Sequence, residues 1–391
     1  MKHDFDVVVV GGGPSGATAA TDLARAGHHV LLLDRAGRIK PCGGAIPPRL
    51  IKDFDIPDHL LVAKATAARM IAPSAKAVEM PVGDGFVGMV DRDVFDEWLR
   101  ARAALAGAER RTGTFDRIER DADGTAVIVY TEARGGQEQR VRTRAVIGCD
   151  GARSGVARHA IKGARTKFVF AYHEIVRAPA EHYDFRPERC DVVYQGAISP
   201  DFYGWVFPHG ETASIGVGSA NKGFALRDSC ARLRAQSGLA GCETIRREGA
   251  PIPLKPLSRW DNGRDVVVAG DAAGVVAPAS GEGIYYAMSC GRLAAEAVTQ
   301  FLATGKPAAL RQARKRFMRA HGRVFWVLGI MQHFWYRSDK RRERFVTICE
   351  DKDVQRLTWQ AYMNKELVRA EPMAHVRVFV KDMGHLLGLT A

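Results

Sequence analysis

The run Gly11-Gly12-Gly13-Pro14-Ser15-Gly16 constrains this 391-residue chain more than any other feature. An apolar strand pattern, Asp6 to Val10, leads straight into it. Ala17 to Ala26 then reads as a helix of small residues, ended by Gly27, and His29 to Leu33 reads as a second buried strand closed by Asp34. Gly11, Gly13 and Gly16 fit the GxGxxG spacing, which is weak evidence alone. Between a strand and a helix, with a carboxylate closing the next strand, it predicts a βαβ nucleotide-binding unit. Glycines let the backbone approach a pyrophosphate, and the helix start offers free N–H groups and partial positive charge. The candidate contacts are Gly11, Gly13, Ser15, Gly16, Asp34 and Arg35. A carboxylate at Asp34 accepts from a ribose hydroxyl and repels a 2′-phosphate. This pocket therefore suits FAD or NAD rather than NADP.

Composition narrows the class. Apolar residues at 46% and charged residues at 26% describe a globular chain, not a disordered or fibrous one. The 57 basic side chains exceed the 44 acidic ones, leaving a net charge of +13. Residues 306–391 hold 18 of the basic and 8 of the acidic residues, so most of the excess sits there. Such a balance suits anionic partners. No helix-turn-helix, zinc or RNP pattern points to nucleic acid, and none is expected to bind. The seven cysteines include no CxxC pair, so a metal site is not expected and reduced cytosolic thiols are. The N-terminus does not read as a secretory signal, and no apolar run approaches the roughly 20 residues needed to cross a bilayer.

Two further clusters select the cofactor. Val146 to Asp150 is a strand pattern ending in Asp150-Gly151. Val266 to Ala269 runs into Gly270-Asp271, and Gly281-Glu282-Gly283-Ile284 opens a long helix. An Asp at a strand's C-terminal end can hold a ribityl hydroxyl. A second helix start near Gly283 can face a flavin pyrimidine ring and stabilise negative charge there by about 0.3–1 kcal/mol. These three motifs, in this order, resemble the FAD-dependent group that includes the aromatic hydroxylases such as p-hydroxybenzoate hydroxylase. The resemblance implies contacts to FAD from Asp150, Gly151, Asp271, Gly281, Gly283 and Ile284, and from Arg92 in Asp91-Arg92-Asp93-Val94-Phe95-Asp96. It also implies a nicotinamide donor that docks transiently, since no second GxGxxG follows a strand.

Pro41-Cys42-Gly43-Gly44 and Tyr203-Gly204-Trp205-Val206-Phe207-Pro208 narrow the choice within that group. The pair resembles the geranylgeranyl reductase family, and the length and aromatic tail look most like its chlorophyll and bacteriochlorophyll branch. The resemblance implies that Cys42, Gly43 and Gly44 lie by the flavin, that Tyr203, Trp205, Phe207 and Pro208 line a prenyl site, and that NADPH supplies electrons through FAD. The implied substrate is a geranylgeranyl chain, on a pigment or as the diphosphate. The residues agree with an alkene. Tyr203, Trp205 and Phe207 alternate, so one strand face carries all three rings. They are either an apolar wall for an isoprenoid or ordinary core aromatics. Cys42 is either a proton source, with Tyr203 and water as the other candidates, or a small side chain filling a tight loop. An isolated alkene accepts hydride poorly unless a proton arrives with it.

The expected architecture is α/β: a Rossmann-type FAD-binding domain with an inserted antiparallel-sheet substrate domain and a helical C-terminal region. The FAD-binding domain is expected over 1–75, 91–166 and 256–305, the substrate domain over 76–90 and 167–255, and the basic, aromatic tail over 306–391. In that tail, the apolar stretch Gly322 to Trp335 beside Arg337, Lys340, Arg341, Arg342 and Arg344 fits either peripheral contact with a cytoplasmic membrane face or packing on the protein. Two other activities fit the same motifs: an FAD-dependent hydroxylase or epoxidase acting on an apolar substrate, and a membrane-associated FAD-fold protein without catalysis.

Overall fold

A computed structural model describes residues 3–35, 39–132, 135–179 and 184–365. The chain divides into two compact units. The first comprises 1–40, 92–168 and 251–325, and the second 41–91, 169–250 and 326–391.

The first unit is built on β1 (Phe5–Val10), α1 (Pro14–Arg25), β2 (Val30–Asp34), α2 (Arg92–Leu105), β3 (Glu109–Thr112), β4 (Thr114–Arg120), β5 (Ala126–Thr131), β6 (Glu138–Gly148), β7 (Val266–Val268) and α3 (Ile284–Thr304). The sheet order is β3-β2-β1-β6-β5-β4, with β7 beside β6. β3, β2, β1, β6 and β7 run parallel, β5 runs antiparallel to β6, and β4 runs antiparallel to β5. The valines of β1 are buried on both faces, as parallel strands covered by helices require. Pro14 opens α1, where its missing N–H costs nothing. α1 and α3 pack closely because Gly291 has no side chain: a Cβ there would lie 2.2 Å from the Ser15 carbonyl oxygen. Behind α3, Trp260 and Phe317 (5.3 Å between ring centroids) and Tyr286 and Phe325 (5.0 Å) close an aromatic core.

The second unit holds a seven-stranded sheet, in the order Thr244–Pro253, Phe168–Arg177, Thr212–Ser219, Gly204–His209, Arg189–Val193, Ala67–Ile71 and Ala77–Pro81. The Arg189–Val193 and Ala67–Ile71 strands pair in parallel; the other registered neighbours are antiparallel. One face packs Val206, Ile215 and Val217 against Cys230 and Leu233 of the helix Leu226–Gln236. A three-stranded sheet joins Ala45–Ile46, Val87–Met89 and Ala63–Ala65.

The expected α/β architecture is present, but the division of the chain differs from expectation in two places. The first segment of the first unit ends at Lys40, not at 75, because Ala67–Ile71 is captured by Arg189–Val193. The region expected over 306–391 is not one body among its described residues: 306–325 belongs to the first unit, where Arg314 Nε donates to the Leu257 carbonyl at 3.0 Å, and 326–365 to the second, while 366–391 lie outside the described residues. No helix among the described residues is long and apolar enough to cross a membrane.

Candidate active site

The glycine run adopts the shape that pyrophosphate binding needs. Gly11 has φ +102°, and a Cβ there would lie 2.4 Å from the Cys149 carbonyl oxygen, so only glycine fits. A Cβ on Gly16 would lie 1.8 Å from the Gly11 carbonyl oxygen. Gly13 differs: a Cβ would meet nothing within 4 Å. Its side of the turn opens onto space at the α1 start, where no side chain caps the helix and the first turn carries no acidic residue. An N-terminus with uncapped amides, glycine backbone and open room fits a diphosphate.

β2 delivers Asp34 to a pocket of about 370 Å3 that Arg35, Arg92 and Arg100 also line. No local sequence pattern marks Arg100. Its Nη1 lies 3.3 Å from Asp34 Oδ2 and 3.4 Å from the Gly12 carbonyl, and fixes the carboxylate beside the glycine turn. Arg92 is nearly fully buried and spends its fork on Asp96 one helical turn later, at 2.8 and 2.7 Å. The i,i+4 spacing in the sequence carried that signal. Ser15 faces inward and receives the Cys149 thiol at 3.5 Å. Desolvation pushes that thiol up to about 12, so Cys149 stays protonated.

The two aspartates differ. Asp150 is turned onto its own loop: Ser154 Oγ donates to Oδ1, and the Gly155 and Val156 amides donate to Oδ2 at 2.6 and 3.1 Å. These bonds shape the Gly151 turn (φ +86°) and the start of the helix Gly155–Ala160. Asp271 sits buried in the tight turn Gly270–Ala273 after β7, paired with the Lys40 ammonium. Nothing local in the sequence links Lys40 to a residue 231 positions away. At the α3 start, Gly281 turns the chain with φ +63° and Gly283 precedes the buried Ile284. The helix start is not bare, because Glu282 Oε1 accepts the Tyr285 amide at 2.9 Å.

In the second unit the CGG loop and the aromatic strand meet. A Cβ on Gly43 would lie 2.9 Å from the Phe207 ring and 3.7 Å from Trp205 Nε1. The Gly44 amide donates to Cys42 Sγ at 3.4 Å. Tyr203, Trp205 and Phe207 form the expected row, with centroids 6.2 and 6.5 Å apart. Pro208 does not join it. Alternation places Pro208 with Val206, whose side chain lies in the opposite, Ile215-containing core. Trp205 is held by residues that the sequence reading did not select. Its Nε1–H donates to Ser214 Oγ at 3.2 Å, Ser214 contacts His173 Nδ1 at 3.1 Å, and His173 Nε2 contacts Glu248 Oε2 at 2.8 Å. With Nε2–H donating to the carboxylate, Ser214 donates to Nδ1 and accepts from the indole, and each buried group in the row is satisfied. Burial, with the Tyr336 hydroxyl and the Cys42 thiol nearby, pushes the Tyr203 phenol well up. Tyr203 therefore holds its proton tightly.

Residues 78–321 match the family described as FAD binding domain, and residues 9–60 match an NAD(P)-binding Rossmann-like domain. The chain is 60% identical, over 98% of both chains, to a Rhodobacter capsulatus protein named geranylgeranyl diphosphate reductase. This chain belongs to the geranylgeranyl diphosphate reductase family. A Synechocystis member is 36% identical over 97% of each chain. A Methanocaldococcus jannaschii digeranylgeranylglycerophospholipid reductase is 30% identical over 86% of this chain and 87% of its own. The fold matches a geranylgeranyl bacteriochlorophyll reductase-like protein from Thermoplasma acidophilum, with TM-score 0.81, 23% identity and coverage of 95% and 99%. It also matches a flavin-dependent brominase, with TM-score 0.76, 16% identity and coverage of 97% and 99%. The expected FAD-binding α/β fold and family membership are thus both found.

Proposed function

We propose that this protein reduces isolated double bonds of a geranylgeranyl chain, carried as the diphosphate or on a (bacterio)chlorophyll pigment, with electrons from NADPH. FAD, when bound, supplies the hydride. Gly11, Gly13, Ser15 and Gly16 would hold its diphosphate, Asp34 and Arg35 its adenosine, and Asp271 its ribityl chain, with Arg92 lining the same pocket as Asp34 and Gly281, Gly283 and Ile284 shaping the α3 start. Asp150 and Gly151 would contribute through the backbone of their turn.

The observation that carries the substrate class is the contact of Gly43 with Phe207 and Trp205. It places the Cys42 loop against an apolar ring row, with no charged side chain among Tyr203, Trp205 and Phe207. Such a wall binds hydrocarbon at about 25 cal/mol per Å2 buried. Protonating a trisubstituted alkene puts positive character on the tertiary carbon, and ring faces stabilise it by about 0.5–2 kcal/mol. The proton comes from Cys42, whose loop lies against the rings through Gly43, because burial pushes the Tyr203 phenol away from release. Reduced protein held without oxygen tests the reading. Oxidised-flavin absorbance returns on adding geranylgeranyl diphosphate or geranylgeranyl-pigment, and does not return with the saturated chain. Return with neither unsaturated carrier contradicts it.

A lipid-borne chain suits peripheral contact through 326–340. Trp326 and Ile330 are exposed, one turn apart, in the helix Arg311–Trp335, and the exposed His333, Arg337 and Lys340 follow them. Apolar tips beside cations fit an anionic bilayer surface. Co-sedimentation with phosphatidylglycerol vesicles, lost in W326A/I330S, supports this contact; no sedimentation of the wild type refutes it.

A further inference from the structure

The aromatic row does not end at Phe207. His209 is the next residue of the same parity and the last of its strand, so its ring extends the face of Trp205 and Phe207. It is buried, and both ring nitrogens are engaged. Nε2 lies 3.0 Å from the Gly43 carbonyl oxygen and Nδ1 lies 2.9 Å from Asp91 Oδ1. The position of the ring proton decides which of the two contacts His209 donates. The ring also occupies the space beside Gly44. That residue has φ +71°, and a Cβ on it would lie 2.5 Å from His209 Cε1 and 2.5 Å from the Val90 carbonyl oxygen. The loop is thus fastened at three successive points: Gly43 C=O by His209, Gly44 C=O by the Val90 amide at 2.9 Å, and Gly44 N–H by Cys42 Sγ.

We infer that His209 is a positioning residue for alkene reduction: its Nε2–H clamps the Gly43 carbonyl and thereby fixes the Cys42 thiol relative to the Phe207 and Trp205 rings. It does not touch the reacting carbons. The inference rests on the geranylgeranyl reading for its turnover arm. The geometry of the clamp stands without that reading.

Two amide substitutions separate the contacts. In H209Q the side-chain nitrogen reaches the place of Nε2, and in H209N the place of Nδ1. Full-length protein is loaded with FAD and measured in three ways: kcat and KM for geranylgeranyl reduction, the rate of flavin reduction by NADPH, and the rate of Cys42 alkylation by iodoacetamide, read by peptide mass spectrometry. H209N is expected to lose about tenfold in kcat with KM and flavin reduction nearly unchanged, and to be alkylated at Cys42 several-fold faster, the scale of one lost buried hydrogen bond. H209Q is expected to stay within about threefold of wild type in both. Equal loss in both variants shows that the ring's bulk matters and not its bond, and overturns the inference; so does wild-type behaviour in both. Should H209N fail to fold, H209A replaces it, and an impaired H209Q alone still overturns the inference. If the wild type does not reduce the geranylgeranyl chain, the functional reading fails, while the alkylation contrast still judges the clamp.

Discussion

Trp205 lies directly over Gly216: a methyl group on Gly216 would sit 2.1 Å from Cζ2 of the indole. The two residues are register partners on adjacent antiparallel strands, and His173 is the register partner of Gly216 on the next. The indole can lie flat across the sheet only because the position beneath it is empty. G216A is expected to displace Trp205 and to cost about 1–3 kcal/mol, as overpacking of a tight site does. Urea denaturation and kcat should fall together. A variant with wild-type midpoint and turnover contradicts the packing described.

The row Glu248–His173–Ser214–Trp205 makes a second prediction. S214A leaves the indole N–H and His173 Nδ1 without their shared partner inside the sheet. The expected cost is about 1–3 kcal/mol. Tryptophan fluorescence should shift with it, and urea titration measures the loss. S214T, which keeps a hydroxyl, should lie closer to wild type.

Asp271 is expected to govern cofactor affinity. D271A should weaken FAD binding by about tenfold or more, the scale of a lost hydrogen bond to a charged group, with quenching of flavin fluorescence as the readout. D150A should instead act through stability, because among the described residues the Asp150 carboxylate bonds Ser154, Gly155 and Val156 of its own loop.

Stability should fall in acid partly through Glu174. Burial opposes ionisation, but the hydrogen bonds from Tyr172 and Arg234 win and hold its carboxyl below 4.5. A depressed folded value favours folding above the unfolded value of 4.5 and loses that contribution as pH falls through the folded one. E174Q should therefore be less stable than wild type at neutral pH, with the difference shrinking below about pH 4.5. A gap independent of pH contradicts the assignment.

The parts of this protein that could be read from its sequence are the parts decided locally. The β1–α1–β2 unit follows from valine runs, six consecutive glycine-rich positions and a terminal carboxylate. Each of these acts over a few residues. The row Tyr203, Trp205, Phe207 follows from strand alternation. His209 was readable by the same parity. The boundary at Lys40 was not, because Ala67–Ile71 finds its partner at Arg189–Val193, and no periodicity names a partner so far along the chain. Lys40 with Asp271, and Trp205 with His173, are likewise products of topology. Arg92 and Asp150 show the opposite limit. Their positions match a family pattern, and the structure adds what the sequence does not show: Arg92 pairs with Asp96, and Asp150 accepts from Ser154.

Product mass tests the central claim most directly. Protein loaded with FAD and supplied with NADPH and geranylgeranyl diphosphate, or a geranylgeranyl-pigment, should yield a chain heavier by two hydrogens for each double bond reduced. C42A should bind FAD and yield little of that product. A product heavier by one oxygen, or unchanged substrate with FAD bound and reduced, contradicts the account.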